Sequence, residues 1–421
     1  MSFALNRSTA PRVCIVTASH IGSNPRVVKE AQALHESGFQ TTVIALRTLD
    51  SVEPRDQSIL QQAQWRCERI DLRSKPLWKL RRLAQLTFRA AHVALGIASL
   101  SDHAFSALTQ PLTAAALRTP ADLYIAHYPP ALPAAAAAAR RLSARYAFDA
   151  EDYHLGDWPN ESAYDSDRYL LRSVEGRYLA GCAYVTASSP GIADAYVESY
   201  GIARPHVILN VFPISQAPAG PTAKGTAEPG PSVYWFSQVI APNRGLECAV
   251  RAVGRARTRP HLYLRGSTDA VVVQHLNRIA AEANAEGRIH VLPLDVPNRM
   301  ERLAAAYDVG LIAETGQTRN RDIALTNKLF TYLLAGIPAI MSEISAHRAF
   351  AAETAATTYL FPVEDPAALA AILDFLLGNP ERLTAARAEA YRLGQERYNW
   401  DIESKRLVEI VTQSLGSRSL V

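Results

Sequence analysis

The feature that most constrains the fold is an alternation of short apolar segments with longer amphipathic segments. The run RVCIVTA (12–18) is short and rich in β-branched residues, which is typical of a buried strand. NPRVVKEAQALHESG (24–38) predicts a helix with Pro25 in its first turn and Gly38 after its end. FQTTVIAL (39–46) predicts the next strand. A strand–helix–strand unit of this kind opens a parallel, doubly wound sheet.

The alternation continues, stops and then resumes. Further strands of the first sheet are predicted at 121–127, 145–152, 183–189 and 206–212. Residues 213–231 carry five prolines and three glycines without apolar periodicity, which predicts a linker or long surface loop. After the break, strands are predicted at 233–239, 261–267, 288–294, 309–314 and 339–341, with helices between them.

The predicted fold class is therefore α/β, with two doubly wound Rossmann-like domains facing a cleft. We expect an N-terminal domain (1–212), a linker (213–231), a C-terminal domain (232–398) and a C-terminal helix (399–421) that packs back toward the first domain. Asn399 or Asp401 is the expected N-cap of that last helix. Open α/β sheets bind ligands at the carboxyl ends of their strands, so we expect the site on the loops that follow strands.

Composition excludes several functional classes. The 421 residues are 48% hydrophobic and 20% charged, as in a globular protein, and the net charge of +4 is too small to indicate nucleic-acid binding. The four cysteines occur singly, so neither a metal site nor a disulfide framework is expected, and reduced thiols fit a cytoplasmic protein. We find neither a signal-peptide core nor an apolar run of the roughly 18 residues that a membrane span requires.

The first loop, SHIGSNPR (19–26), lacks the GxGxxG pattern, which argues against a dinucleotide-dependent oxidoreductase. Gly22 permits close approach of a ligand to the backbone. Arg26 is either a phosphate ligand near the helix start or an ordinary surface arginine of the first turn.

Polar side chains follow two other strands of the first sheet. His127 comes directly after the strand LYIA and either contacts a sugar hydroxyl or the reacting centre, or is structural. The segment FDAEDYH (148–154) contains three acidic residues, Asp149, Glu151 and Asp152. Such carboxylates are suited to binding hydroxyl groups, to acting as a base or to capping a helix. Our candidate catalytic residues are His127 and Asp152.

Two basic residues precede predicted helices in the second half. Lys328 begins the helix 328–334, where the helix dipole disfavours a cation, and Arg244 comes just before a helix that begins near Gly245. A phosphate between two such helix ends would gain backbone N–H donors, two dipoles and two cations. The alternative for Lys328 is a solvated side chain beside a helix end.

The chain resembles the bacterial GT-B glycosyltransferases of the large retaining "group 1" family in five segments that follow the same order. They are SNPRVVKEAQALHESGFQTTVIA, LYIAHYPPALPAAAAAARRLSARYAFDAEDYH, NRGLECAVRA, YDVGLIAE and NKLFTYLLAGIPAIMSE. The resemblance spans nearly the whole chain. It implies transfer of a sugar, with retention, from a nucleotide diphosphate donor held by the second domain to an acceptor held by the first. It also implies that Arg244 and Lys328 bind the donor diphosphate, and because these cations replace a metal we expect neither a metal nor a cofactor. The other expected donor contacts are Gly266, Glu314, Asn320, Asn327 and Thr331.

The sequence departs from the family at two positions. The family usually has a ribose-binding glutamate where this chain has Thr331, and an arginine after the first strand of the second domain where this chain has Ser237 and Gln238. These departures keep two alternatives open: a non-catalytic GT-B partner subunit and a sugar-nucleotide epimerase of the same fold. The function expected from the resemblance is the synthesis of surface polysaccharide or glycoconjugate on a glycan or lipid-linked acceptor.

The segment 66–96 combines many basic residues with interleaved Leu, Trp and Phe. We expect 73–89 either to bind an anionic membrane surface, or to form an ordinary helix with its apolar side on the domain and a solvated basic face. The first alternative places a cytoplasmic protein at the inner face of the membrane.

Overall fold

A computed structural model of the chain describes residues 10–97, 100–221 and 230–416. These residues form two compact units, one comprising the described residues up to Ile208 together with those from Ser404 onward, and the other Leu209–Glu403. Residues 222–229 of the predicted linker and 417–421 of the predicted C-terminal helix lie outside the described residues.

The first unit is built on a seven-stranded parallel sheet in the order β3-β2-β1-β4-β5-β6-β7. Its strands are β1 Arg12–Thr17, β2 Gln40–Arg47, β3 Arg66–Asp71, β4 Leu123–His127, β5 Arg145–Ala150, β6 Val185–Ala187 and β7 His206–Val207. Its helices are α1 Pro25–Glu36, α2 Glu53–Gln62, α3 Lys75–Leu95, α4 Ser101–Phe105, α5 Thr109–Arg118, α6 Leu132–Arg141, α7 Asp165–Tyr178 and α8 Pro190–Tyr200.

The second unit is built on a six-stranded parallel sheet in the order β10-β9-β8-β11-β12-β13. Its strands are β8 Ser232–Val239, β9 His261–Ser267, β10 Ile289–Leu292, β11 Val309–Ile312, β12 Ala339–Ser342 and β13 Thr358–Phe361. The helices are α9 Leu246–Arg255, α10 Ala270–Glu282, α11 Met300–Ala304, α12 Arg319–Ile323, α13 Asn327–Ala335, α14 Ser345–Glu353, α15 Pro366–Leu377 and α16 Pro380–Glu396, and α17 Trp400–Gly416 continues into the first unit. The prediction of two doubly wound α/β domains is confirmed.

Local signals explain where several helices begin and end. The side chain of Asn24 accepts a hydrogen bond from the amide of Val27 at the start of α1, and Asn399 accepts one from the amide of Ile402 in the first turn of α17. Gly336 ends α13 with a φ of 72°, a conformation that glycine adopts without strain. The other expected cap, Asp401, instead accepts a hydrogen bond from the amide of Ile214.

Two stretches differ from the sequence prediction. The basic segment 66–96 begins with the edge strand β3, and its helix starts only at Lys75. β3 carries four charged residues among six, and its two apolar residues, Cys67 and Ile70, are three positions apart, so its sequence lacks the two-residue period of a strand. None of its residues is fully buried, as fits a strand at the edge of the sheet. In 206–212 only β7 joins the sheet, since the carbonyl of Ile208 accepts a hydrogen bond from Arg26 instead.

The described part of the predicted linker belongs to the second unit and is hydrogen-bonded within it. Arg302 donates to the carbonyl of Ser215, and Tyr391 donates to the carbonyl of Pro218. Within the described residues, no helix combines the length and the apolarity needed to cross a membrane.

Candidate functional site

In the second unit, Lys328 and Glu314 form a buried ion pair at the carboxyl end of the sheet. Glu314 follows β11, and Lys328 Nζ donates to its Oε1 at 2.9 Å from the first turn of α13. Both side chains are only 10% exposed, so the alternative of a solvated lysine is wrong. The ammonium of Lys328 lowers the pKa of Glu314 to about 2 against the opposing effect of burial, and Arg244 contributes to the lowering. The cation at the helix start is therefore compensated by a carboxylate of the same unit.

Arg244 is brought to this cluster by a close backbone approach. The next residue, Gly245, has a φ of 68°, and a Cβ at that position would lie 2.3 Å from the carbonyl oxygen of Ala313. Only glycine permits this contact, which places the start of α9 against the residue that precedes Glu314. Among the described residues, the guanidinium of Arg244 has no hydrogen-bond or ion-pair partner, and it is half-buried. Arg244 is therefore available to an anionic ligand.

Ser342 and His347 support the same cluster. Ser342 ends β12 and donates from Oγ to the carbonyl oxygen of Glu314 at 2.5 Å. His347 on α14 donates from Nδ1 to the carbonyl oxygen of Ser342 at 2.7 Å. This hydrogen bond leaves Nε2 of His347 as an acceptor, and Nε2 has no partner among the described residues. Burial lowers the pKa of His347, with Lys328 adding to the effect, which favours the neutral imidazole.

Thr331 does not lie where a ribose would reach it. Its side chain has no exposed surface, and Oγ1 donates to Glu301 Oε1 at 2.9 Å. The hydroxyl therefore ties α13 to α11 inside the unit, and the geometry does not support a contact between Thr331 and a donor.

The remaining predicted donor contacts have different environments. Asn327 is the exposed first residue of α13, and Asn320 is buried on α12. Gly266 is buried in β9, where a Cβ would lie 2.7 Å from the carbonyl oxygen of Ser237. Gly266 thus permits β8 and β9 to approach closely at the irregularity in their register. Of the three, only Asn327 is exposed, at the helix start beside Lys328.

In the first unit, α1 delivers two charged side chains to the carboxyl edge of the sheet. Arg26 and Glu30 are four residues apart and therefore share one face of the helix. Arg26 donates to both oxygens of Asp149, from Nε at 2.9 Å and from Nη2 at 2.8 Å, and its Nη1 donates to the carbonyl of Ile208. Both expectations for Arg26 fail in this structure, because the guanidinium is neither on the surface nor available to a phosphate.

His127 is held by Glu30 within the same buried network. Nε2 donates to Glu30 Oε2 at 2.6 Å, and Nδ1 lies 3.7 Å from Asp149 Oδ1 on the adjacent strand β5. Burial lowers the pKa of His127, but the carboxylates of Glu30 and Asp149 outweigh burial and raise it above its ordinary value. The side chain is 1% exposed, so its geometry agrees with the structural alternative, with only Nδ1 lacking a hydrogen-bond partner among the described residues.

The residue after His127 carries backbone strain. Tyr128 has a φ of 68° and a ψ of 145°, a region occupied almost only by glycine. The following Pro129 favours the extended ψ, but nothing local favours the positive φ. Such strain costs about 1–3 kcal/mol and persists where the surrounding structure imposes it, often at functional sites. It marks the end of β4 as a candidate site.

The carboxylates after β5 and a histidine lie near Tyr128. Burial raises the pKa of Glu151, the carboxylates of Asp152 and Asp149 raise it further, and Arg26 opposes them. Asp152 is half-exposed. The ring of His154 lies 6.0 Å from that of Tyr128, its Nδ1 pairs with Asp157 at 3.3 Å, and its buried Nε2 has no partner among the described residues. A carboxyl group with a raised pKa beside a half-exposed carboxylate is suited to proton transfer.

The loop after β1 is bonded within the unit. Gly22 donates its amide to Asp56 Oδ1 at 2.8 Å, and a Cβ there would lie 2.8 Å from the same oxygen. His20 Nε2 accepts hydrogen bonds from the amides of Thr48 and Leu49, so its Nδ1 donates to Asp56 Oδ2. The close approach that Gly22 permits is therefore to Asp56.

Sequence reasoning missed Glu30, Tyr128, His154, Ser342 and His347. The four-residue spacing of Arg26 and Glu30 was a usable signal for one shared face of α1. No local pattern distinguishes the others, because their partners lie on different strands and helices.

Part of the chain is similar in sequence to one known protein family. Residues 22–210 match the sequence profile of the glycosyl transferase 4-like domain. A comparison of the sequence with curated proteins gives no significant match.

Similar solved structures cover almost the whole chain. Anabaena HepE in complex with UDP-glucose is 14% identical with a TM-score of 0.69, over 96% of this chain and 100% of HepE. Sucrose-phosphate synthase from Thermosynechococcus elongatus is 14% identical with a TM-score of 0.69, over 97% and 100% of the two chains. TarM of S. aureus is 8% identical with a TM-score of 0.66, over 95% and 99%. At these identities the similarity establishes a common fold.

Replacing Glu314 tests the buried pair in the second unit. Glu314→Gln should lower the free energy of unfolding at neutral pH by about 3 kcal/mol, since one unit of pKa corresponds to about 1.4 kcal/mol. A lowered carboxylate pKa contributes stability that is complete above the unfolded-state pKa and is lost as the pH falls through the folded-state pKa. Denaturant unfolding at a series of pH values should show a constant difference above about pH 5 that shrinks toward pH 2.

The exposed Glu282→Gln provides the control for this series, and it should leave the free energy of unfolding nearly unchanged at every pH. A Glu314→Gln difference that persists undiminished into acid would contradict the ion pair.

Replacing His127 tests the network in the first unit. His127→Gln leaves Glu30 buried without its cation, which should cost about 3–5 kcal/mol. A raised histidine pKa contributes stability that is complete below the unfolded-state value of about 6.5 and is lost as the pH rises through the folded-state value. The stability gap to the native chain should thus be largest below about pH 6.5 and narrow in alkali, while the exposed His206→Gln should show no such trend. A gap independent of pH would show that His127 is not paired as an imidazolium.

Proposed function

We propose that the chain is a glycosyltransferase of the GT-B fold that transfers a sugar from a nucleotide diphosphate to a hydroxyl group of a glycan or lipid-linked acceptor. The match of residues 22–210 to the glycosyl transferase 4-like domain and the fold shared with HepE support this proposal. The observation that carries the proposal is the cluster of Arg244, Lys328 and Glu314 at the carboxyl end of the second sheet. It combines two helix N-termini with two cations, one of which has no partner among the described residues.

The proposed donor is a UDP-sugar, and we infer that it is a hexosyl donor. HepE, which shares the fold, has been solved with UDP and with UDP-glucose. In this chain the diphosphate would meet the guanidinium of Arg244 and the amides at the start of α9 and α13. Lys328 already has a carboxylate partner, so it would share its charge between Glu314 and the diphosphate. Arg244 is therefore the principal diphosphate ligand in this proposal.

The reaction forms a bond between the acceptor oxygen and the anomeric carbon and breaks the bond between that carbon and the diphosphate oxygen. The bonding electron pair leaves with the diphosphate, whose growing charge Arg244, Lys328 and the two helix dipoles stabilise. These cations fulfil the role that a metal ion fulfils elsewhere, so we propose a metal-independent reaction without a cofactor. Retention of the anomeric configuration remains a prediction from the resemblance.

We assign the acceptor side to the carboxyl edge of the first sheet. Asp152 is half-exposed and is proposed to hold the acceptor hydroxyl or accept its proton, and the raised pKa of Glu151 suits the same task. His127 is buried, so we propose that it positions the loop with the strained Tyr128 rather than touching the substrate. The proposed setting is synthesis of surface polysaccharide or glycoconjugate in the cytoplasm, at the inner face of the membrane.

A second candidate function is a non-catalytic partner subunit that retains the fold. The observation that favours it is Thr331, which stands in place of a ribose-binding glutamate and has no exposed surface. The two candidates differ in whether bound donor is turned over.

Alanine variants of the two cations test donor binding. Arg244→Ala and Lys328→Ala should each weaken the affinity for UDP and UDP-glucose about ten- to a hundred-fold, because charge-assisted hydrogen bonds contribute about 1.5–3 kcal/mol. Titration calorimetry measures this. Arg244→Ala should leave the unfolding temperature nearly unchanged, whereas Lys328→Ala should lower it because Glu314 remains buried without a partner.

The matched control is Arg251→Ala on an exposed position of α9, which should bind UDP normally. Unchanged UDP affinity in both cation variants would reject the diphosphate role of the cluster.

Release of UDP from UDP-sugars distinguishes the enzyme from the partner subunit. The native chain should release UDP slowly with water as the acceptor, at the same rate with and without EDTA, and Arg244→Ala should slow release at least about ten-fold. A panel of UDP-, GDP- and ADP-sugars should include one that is turned over. Tight nucleotide binding without release from any donor would instead support the partner subunit.

A further inference from the structure

We propose that α3 docks the protein on an anionic lipid bilayer through its solvent-facing apolar side, formed by Leu80, Leu83, Leu86 and Val93 and called here the apolar face. These side chains are between 54% and 70% exposed although they are among the most hydrophobic in the chain. They are three, three and seven residues apart, so they lie on one side of the helix. The proposal concerns a surface of the first unit and does not depend on the donor site.

The inward side of α3 is more polar than its outward side. Trp78, Arg81, Gln85, Phe88 and His92 follow the spacing of one helical stripe, and Gln85 and His92 are the buried residues of the helix. Gln85 Nε2 donates to the carbonyl oxygens of Ala104 and Phe105, at 3.2 and 2.8 Å. An ordinary amphipathic surface helix has the opposite polarity, so the alternative of an apolar side packed on the domain is wrong.

Side-chain contacts fix the helix in this orientation. Arg89 Nη1 donates to Asp167 Oδ1 on α7 at 2.7 Å, and the rings of Phe88 and His103 are 4.9 Å apart. These contacts lie on or beside the inward stripe. A rotation of α3 that turned the leucines toward the unit would break these contacts and give the polar side chains no new partner. The solvent-facing position of the leucines is therefore a property of the folded unit.

Cations beside the apolar face are free to meet lipid phosphates. Lys75, Lys79 and Arg82 form no ion pair among the described residues, and Arg82 bonds only the neutral Gln85. Arg73, by contrast, is paired with Asp71 and Asp50, and Arg89 with Asp167. The basic cluster of the sequence thus divides into cations already neutralised within the unit and cations that remain for a partner.

The charge pattern favours a lipid surface over a second copy of the chain. From Lys75 to Leu95 the helix carries no Asp or Glu, so the same face of another copy would offer the three cations no carboxylate. An anionic bilayer offers phosphates at the depth of the cations and hydrocarbon at the depth of the leucines. The helix would then lie in the plane of the interface.

Co-sedimentation of the full chain with vesicles tests the proposal. The native chain should bind vesicles of phosphatidylcholine mixed with phosphatidylglycerol, bind phosphatidylcholine alone much more weakly, and dissociate in high salt. The variant K75Q/K79Q/R82Q should lose about a hundred-fold in partitioning, at roughly five-fold per charge. The variant L80S/L83S/L86S should lose on the order of ten-fold or more, and the loss should persist on anionic vesicles.

Two controls separate this face from charge or hydrophobicity in general. R251Q/R255Q removes two exposed cations from α9 in the second unit, and it should bind vesicles nearly as the native chain does. V271S/L294S removes exposed apolar residues of the second unit and should bind normally. Thermal unfolding of each variant shows whether it remains folded.

Either of two results would overturn the proposal. One is a native chain that ignores anionic vesicles at low salt. The other is a native chain that does not bind vesicles and whose mass in sedimentation exceeds that of one copy, while L80S/L83S/L86S has the mass of one copy. That result would make the apolar face a contact between copies. UDP binding is measured separately, so failure here leaves the proposed function untouched.

Discussion

Each unit has a network of buried charged groups at the carboxyl ends of its strands, and the candidate sites are arranged around these two networks. A buried charge is destabilising unless a partner of opposite charge lies at hydrogen-bond distance. In the second unit Glu314 and Lys328 meet that requirement, and Ser342 and His347 hold the backbone of Glu314 in place. Because position 245 is a glycine, the start of α9 lies close enough to Glu314 for the charge of Arg244 to lower the pKa of that carboxylate. Arg244 itself forms no ion pair among the described residues.

The first unit pairs its buried charges in a denser network of side chains. Arg26 and Glu30 come from one face of α1, while Asp149 and His127 are neighbours in register on β5 and β4. Each charge on the helix meets an opposite charge on the sheet. His127 and Arg26 are buried within this network, and the groups nearer solvent are Tyr128 and Asp152. Strain at Tyr128 is compatible with this arrangement because the rigid network on either side holds the backbone.

The helix α3 shows why composition alone leaves an interface undecided. The sequence contains the leucines and the basic residues, and either could face the unit. The hydrogen bonds of Gln85 to the carbonyl groups that end α4 settle the rotation of the helix, and with it which side chains meet solvent. Pairing with Asp71, Asp50 and Asp167 then removes Arg73 and Arg89 from the available charge.

The sequence by itself determined the fold class, since the alternation of strand and helix periods specifies a doubly wound sheet and the proline-rich break separates two of them. It also determined that Arg244 and Lys328 stand at helix starts, because caps, glycines and prolines are local signals. Only the tertiary structure decided which charges are neutralised, as with Lys328 by Glu314, Arg26 by Asp149 and His127 by Glu30. The edge strand β3 and the orientation of α3 were likewise decided by packing. Partners distant in sequence are chosen by packing and burial, and no local pattern encodes them.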